Sequence, residues 1–188
     1  RLESDLAHLV QLACVSFGPL RQDAAGYVMG ISPAEVFRLA TRLKTLRLVR
    51  TTGPGAQDVV EPYHDRVREA VLFRMDPQIK VTWHKALVRV LRASRHVEPE
   101  RLAEHMAAIG EREEASRMFA AAADAAAEKL AFDRAAGLYE RAVQLLRESL
   151  PEEHPRVREL MLRLGNALAN AGRGKEAARA LLDACRGA

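Results

Sequence analysis

Six histidines and two cysteines are the side chains of this 188-residue chain best suited to hold a metal or to supply a nucleophile or base at neutral pH. Their placement argues against each of those chemistries. His8, His64, His84, His96, His105 and His154 show no pairing with Cys or carboxylates at ligand spacing, and no Ser, His and Asp set gathers around a nucleophile turn. Cys14 and Cys185 lie at opposite ends with no second thiol near either, which is neither a disulfide framework nor a metal motif and suits a reducing cytosol. Phosphate chemistry lacks its cradle too. No Gly-x-x-x-x-Gly-Lys-Ser/Thr loop occurs, and Gly172-Arg173-Gly174-Lys175 falls between two helical patterns rather than after a strand, so it reads as a turn. The expectation is a non-catalytic chain with no metal and no cofactor of its own.

What must position any remaining function is a helical scaffold. The chain is 48% hydrophobic and 5% aromatic, with no apolar run near the roughly 18 residues needed to span a membrane, so a cytoplasmic protein without a membrane partner is expected. It begins at Arg1 rather than Met, which suggests a segment excised from a longer protein. The net charge of +4 conceals an asymmetry: residues 1–95 hold 15 Lys/Arg against 9 Asp/Glu, and residues 96–188 hold 14 against 16. A basic front half fits either a nucleic-acid footprint or a surface facing an acidic neighbouring domain.

In the front half, Leu6, Leu9, Val10 and Ala13 recur at helical spacing until Phe17-Gly18-Pro19, which predicts a first helix over 3–15, and a shorter one follows over 22–29. Ser32-Pro33-Ala34-Glu35 predicts a third start, with Ser32 as cap, Pro33 in the first turn and Glu35 reaching back. Its stripe of Val36, Leu39, Ala40, Leu43 and Leu46 should face a core, leaving Arg38, Thr41, Arg42 and Thr45 outside. Leu48 to Thr52 and Val59 to Glu61 flank Gly53-Pro54-Gly55 and read as a hairpin. Three helices and a hairpin describe a winged helix, in which Arg38 and Arg42 would be the DNA-contacting pair or else a solvated helix face.

From about residue 78 every segment is helical in pattern, punctuated by Glu98-Pro99, Gly110, Pro151, Pro155 and Gly172. Leu164, Gly165, Leu168, Gly172, Ala177, Leu181 and Ala184 fall at tetratricopeptide offsets, with Gly165 and Ala177 small where two helices would cross. Helices over 112–128 and 132–147 repeat the offsets through Ala122, Ala123, Ala126, Ala135, Tyr139 and Ala142, and Leu102, Ala103, Met106, Gly110, Ala115, Phe119 and Ala122 form an upstream half-copy. Ala135 and Ala177 are 42 residues apart, longer than the usual repeat of about 34, the excess falling around Glu152-Glu153-His154-Pro155. Stacked pairs of this kind grip a protein or peptide on their inner helices, where Arg117, Asp124, Asn166 and Asn170 would project or else serve as ordinary surface. The fold expected is mainly α: a winged helix (1–75), connecting helices (76–110) and antiparallel tetratricopeptide-like hairpins of an α-solenoid (111–188).

Two stretches extend the comparison. Tyr63-His64-Asp65-Arg66-Val67-Arg68-Glu69 resembles the junction after the winged helix in signal-transducing ATPases of the STAND class, including bacterial regulators and kinase-linked sensors. Phe132-Asp133-Arg134-Ala135-Ala136-Gly137-Leu138-Tyr139-Glu140-Arg141-Ala142 resembles the start of the helical sensor arm in the same bacterial proteins. The resemblance implies that His64 and Asp65 sense the phosphate of ADP held by a nucleotide-binding domain of the same parent chain, ADP and ATP being cofactors of that parent. It implies a regulatory role in signal transduction, with an inducer or protein partner on the helical arm. The alternative is a DNA-binding winged helix fused to a tetratricopeptide protein-interaction arm.

Overall fold

The computed structural model describes residues 2–94 and 98–185, so His96 lies outside the described residues. Within them the chain is mainly helical, with ten helices and one small antiparallel sheet. It forms two compact units, residues 1–95 and 96–188.

The first unit runs α1 (Leu2–Val15), β1 (Leu20–Arg21), α2 (Gln22–Met29), α3 (Pro33–Thr45), β2 (Val49–Thr51), β3 (Val59–Pro62), α4 (Asp65–Arg74) and α5 (Pro77–Ala93). Its core is built on α1 and α3: Leu9, Leu12, Ala13, Val36, Ala40 and Leu43 are all buried, each leucine contributing about 1.5–3 kcal/mol by leaving water. The start of α3 is the capping box expected from sequence. The Glu35 amide donates to Ser32 Oγ at 3.3 Å, and the Ser32 amide donates to the Glu35 carboxylate at 3.0 Å. Leu46 departs from its predicted place: it is the C-cap, the chain turns there into Arg47 at φ 55°, and Leu46 is left exposed.

The predicted hairpin is present with Arg50 opposite Glu61, and a third strand joins it, since Leu20 and Arg21 pair with Val60 and Val59 to give the order β1-β3-β2. The loop before β3 is tied to α2. The amides of Gln22 and Asp23 donate to the carbonyls of Asp58 and Ala56, and buried Gln22 donates Nε2 to the Gly53 carbonyl at 2.8 Å. Helix α5 begins with Asp76 accepting from the Gln78 amide, and it packs on this same core through Leu87 and Trp83. Residues 76–110 thus divide between the units rather than forming a connector of their own.

The second unit contains α6 (Pro99–Ala108), α7 (Arg112–Glu128), α8 (Phe132–Arg147), α9 (Pro155–Asn170) and α10 (Gly174–Cys185), with the predicted bounds met at 112–128 and 132–147. Cross-helix contacts give the directions. Arg112 pairs with Glu148, Ser116 with the Ala142 carbonyl and Asp124 with Tyr139, so α7 and α8 are antiparallel. Arg158 reaches the Ala184 carbonyl while Gly165 meets Leu181, so α9 and α10 are antiparallel as well. Next-but-one helices run parallel: Arg134 and Arg141 of α8 pair with Glu100 and Glu104 of α6, and Arg156 and Arg163 of α9 pair with Glu113 and Asp124 of α7. Small side chains permit the close crossings, with Ala115, Ala123, Ala135, Ala136 and Ala142 fully buried.

Candidate functional site

Because α7 and α9 lie side by side and parallel, one face of each borders a shared groove. On α7 that face carries Arg117, Ala120, Ala121 and Asp124; on α9 it carries Glu159, Arg163, Asn166 and Asn170, at steps of four, three and four residues that keep one helical stripe. The groove has two basins. One, of about 260 Å³, is bordered by Arg117, Asp124, Arg156, Glu159 and Arg163; the other, of about 230 Å³, by Asp124, Phe132, Tyr139, Arg163, Asn166 and Asn170.

Asp124 and Arg163 border both basins and form the partition. Arg163 Nη1 lies 3.2 Å from Asp124 Oδ2, and its other Nη holds Glu159 at 2.5 Å. The Tyr139 hydroxyl donates to Asp124 from the back of the groove. Burial, reinforced by the hydrogen bond to Asp124 and its charge, pushes the Tyr139 phenol up to about 12, so at neutral pH it is fixed as a donor. Arg117 is ion-paired to Glu114 on its own helix, and Arg156 spans to Glu113 at 2.7 Å. The charges are thus mixed and mutually neutralised. Asn166 and Asn170 are exposed with carboxamides not engaged by the described residues, and each offers the donor and acceptor that a peptide backbone also presents.

The four residues read from sequence as partner-binding, Arg117, Asp124, Asn166 and Asn170, are therefore gathered along one groove. Arg163, Glu159 and Tyr139 were missed in that role. The four-three-four spacing on α9 was available to find the first two, whereas the Asp124 to Tyr139 bond depends on the antiparallel docking of α8, which no local pattern encodes.

His64 occupies the N-cap position of α4. Its carbonyl accepts from the amides of Val67 and Arg68, but its imidazole makes no cap hydrogen bond; the ring is exposed and stands edge-on to Tyr63, with centroids 4.6 Å apart. Asp65 is the exposed first residue of the same helix. Both side chains face solvent next to one another. Arg38 and Arg42 are exposed one turn apart on α3, Arg38 within 3.8 Å of Glu35. The neighbouring hydroxyls are spent on the helix's own backbone: Thr41 donates to the Phe37 carbonyl at 2.8 Å and Thr45 to the Thr41 carbonyl at 3.1 Å.

Among the described residues no three His, Cys, Asp or Glu side chains come together as a metal would require, and no helix is long and apolar enough to cross a membrane. No protein-family model matches the sequence, and no curated protein matches it.

Proposed function

We propose that this chain is a regulatory, non-catalytic segment of a signal-transducing ATPase of the STAND class, in which a winged-helix unit packs on a nucleotide-binding domain of the parent chain and a tetratricopeptide-like arm binds a protein or peptide inducer. The observation that carries the reading is the groove between α7 and α9, where mutually paired charges border two unengaged asparagines of α9. A groove of that kind favours an extended peptide, whose amides the asparagines can match, over a highly charged ligand that would have to break several ion pairs. The order α1-β1-α2-α3-β2-β3, with β1 added to the hairpin edge, supports the winged-helix assignment. Alternating antiparallel and parallel helices crossing at alanine and glycine support the repeat assignment. His64 supports the nucleotide-sensing role because its imidazole is exposed and not spent on capping α4.

In the parent protein, His64→Ala should loosen ADP retention and raise basal activity, while Asn166→Ala with Asn170→Ala should abolish the inducer response and leave ADP retention as it was. Unchanged ADP retention and basal activity in the first variant would reject the sensing role, and an unchanged response in the second would reject the groove. The exposed Arg38 and Arg42 favour one second reading, duplex DNA binding through α3. That reading requires an affinity that falls steeply with salt and is lost in Arg38→Ala with Arg42→Ala.

A further inference from the structure

We infer that the apolar groove between α1 and α4 docks an amphipathic helix of a protein partner, one whose apolar ridge is flanked by carboxylates about two helical turns apart. This goes beyond the reading above and does not depend on it, since His64 is not among the lining residues.

Helix α4 is ten residues long and has no buried residue, although Val71 and Leu72 lean on the core. Its other side carries Arg66, Ala70 and Phe73 at steps of four and three, a single stripe, and Phe73 is 90% exposed. Beside that stripe a groove of about 460 Å³ is floored by Val10, Val67, Val71 and Met75. Its polar lining is Gln11, Arg66 and Arg74, with no carboxylate, and Gln11 is already occupied in accepting from Trp83 Nε1 at 3.4 Å. Neither Arg66 nor Arg74 forms an ion pair with the described residues, so two unpaired guanidinium groups stand at the edge of an apolar floor.

Their spacing sets the occupant. Eight residues along α4 separate the two cations by about 12 Å of helical rise, the interval between side chains two turns apart on a partner helix. A groove between two helices receives a third by ridges and grooves, and recognition of this type uses apolar anchors at i, i+3 or i+4, and i+7. Arginine at its border is a side chain of the kind that anchors interfaces. A nucleic acid would find two cations and a floor of aliphatic carbon, too little charge to hold a phosphate backbone.

The test uses the whole 188-residue chain and an amidated helical peptide of about three heptads, leucines forming one face and glutamates both flanks, with a counterpart carrying lysine for glutamate. The acidic peptide should bind, and its amide-shift changes should centre on Val67, Ala70 and Val71. Ala70→Asp, and Arg66→Glu with Arg74→Glu, should each weaken it about tenfold or more, and the charge-reversed protein should now take the lysine peptide. All three positions are exposed, so the fold should persist, which circular dichroism checks. Equal affinity across the three proteins, equal binding of both peptides, shifts elsewhere such as the α7 and α9 groove, or no binding at millimolar peptide would each overturn the proposal. Failure of the His64 experiment would leave it standing.

Discussion

Leu181 fills the space that a β-carbon on Gly165 would need: its Cγ and Cδ2 lie 2.6 Å from that position. The glycine is a packing residue here. It sits inside α9, where glycine costs about 1 kcal/mol against alanine in helix propensity, and that cost is accepted because α10 crosses directly above it.

Gly165→Ala should therefore destabilise the second unit by about 1 kcal/mol, the overpacking penalty of about 1–3 kcal/mol outweighing the propensity gain. In a Leu181→Ala background the obstruction is gone, and the same substitution should become stabilising. Urea midpoints of the four proteins in this cycle measure the change of sign. The same sign in both backgrounds would mean that Leu181 is not what excludes the methyl group.

Tyr139 makes the groove sensitive to alkali. Its phenol is raised from 10 to about 12, so the folded form holds the proton that the unfolded chain releases first. The stability it contributes is complete below about pH 10 and lost as pH rises toward about 12. Tyr139→Phe should cost about 1 kcal/mol at neutral pH through the lost bond to Asp124, and should reduce the loss of stability above about pH 10. Phenolate absorbance and urea midpoints at about pH 9 and about pH 11 provide the check.

The first unit carries the opposite sensitivity. His84 is buried on α5 and stacked on Phe17 at 5.7 Å, and burial, aided by the charge of Lys80, lowers its imidazole from 6.5 to about 4. The unfolded chain takes up a proton over that interval and the folded one does not, so stability is complete above about pH 6.5 and falls as pH drops toward about 4. Imidazole carbon-bound proton shifts should place the His84 midpoint near 4. A midpoint at 6 or above would show that the ring is hydrated and not buried as described.

Which parts were legible follows from the range of the interactions. The capping box of Ser32 and Glu35 is complete within four residues, and helices 112–128 and 132–147 announce themselves by stripes of alanine and leucine, so sequence locates them closely. Leu20 and Arg21 become a strand only because Val59 and Val60 lie beside them, and two residues carry no period to read. Leu46 continues the stripe of Val36, Leu39 and Leu43 in phase but lies one position past the helix end, where phase no longer fixes direction. At the groove, side chains projecting from α7 and α9 were readable from phase. The partition of Asp124, Arg163 and Tyr139 joins three helices and could not be read from any one of them.

The turn between α7 and α8 offers the last prediction. In three helix connections the same pair of backbone bonds recurs: the Gly110 amide donates to Ala107 and Glu111 to Met106, the Leu130 amide to Ala127 and Ala131 to Ala126, and the Gly172 amide to Ala169 and Arg173 to Leu168. The residue at the pivot is left-handed each time, with φ of 85°, 60° and 78°, and glycine fills it in two of the three. Leu130 pays a steric penalty of roughly 1–2 kcal/mol for that conformation, and it is 74% exposed, so its side chain returns little by burial. Leu130→Gly should therefore raise the stability of the second unit by up to about 1 kcal/mol, after the entropy that glycine adds to the unfolded chain is subtracted, whereas Gly172→Leu should lower it. Thermal midpoints of the two variants should move in opposite directions; a fall for Leu130→Gly would show that the exposed leucine is held by a contact rather than by the turn.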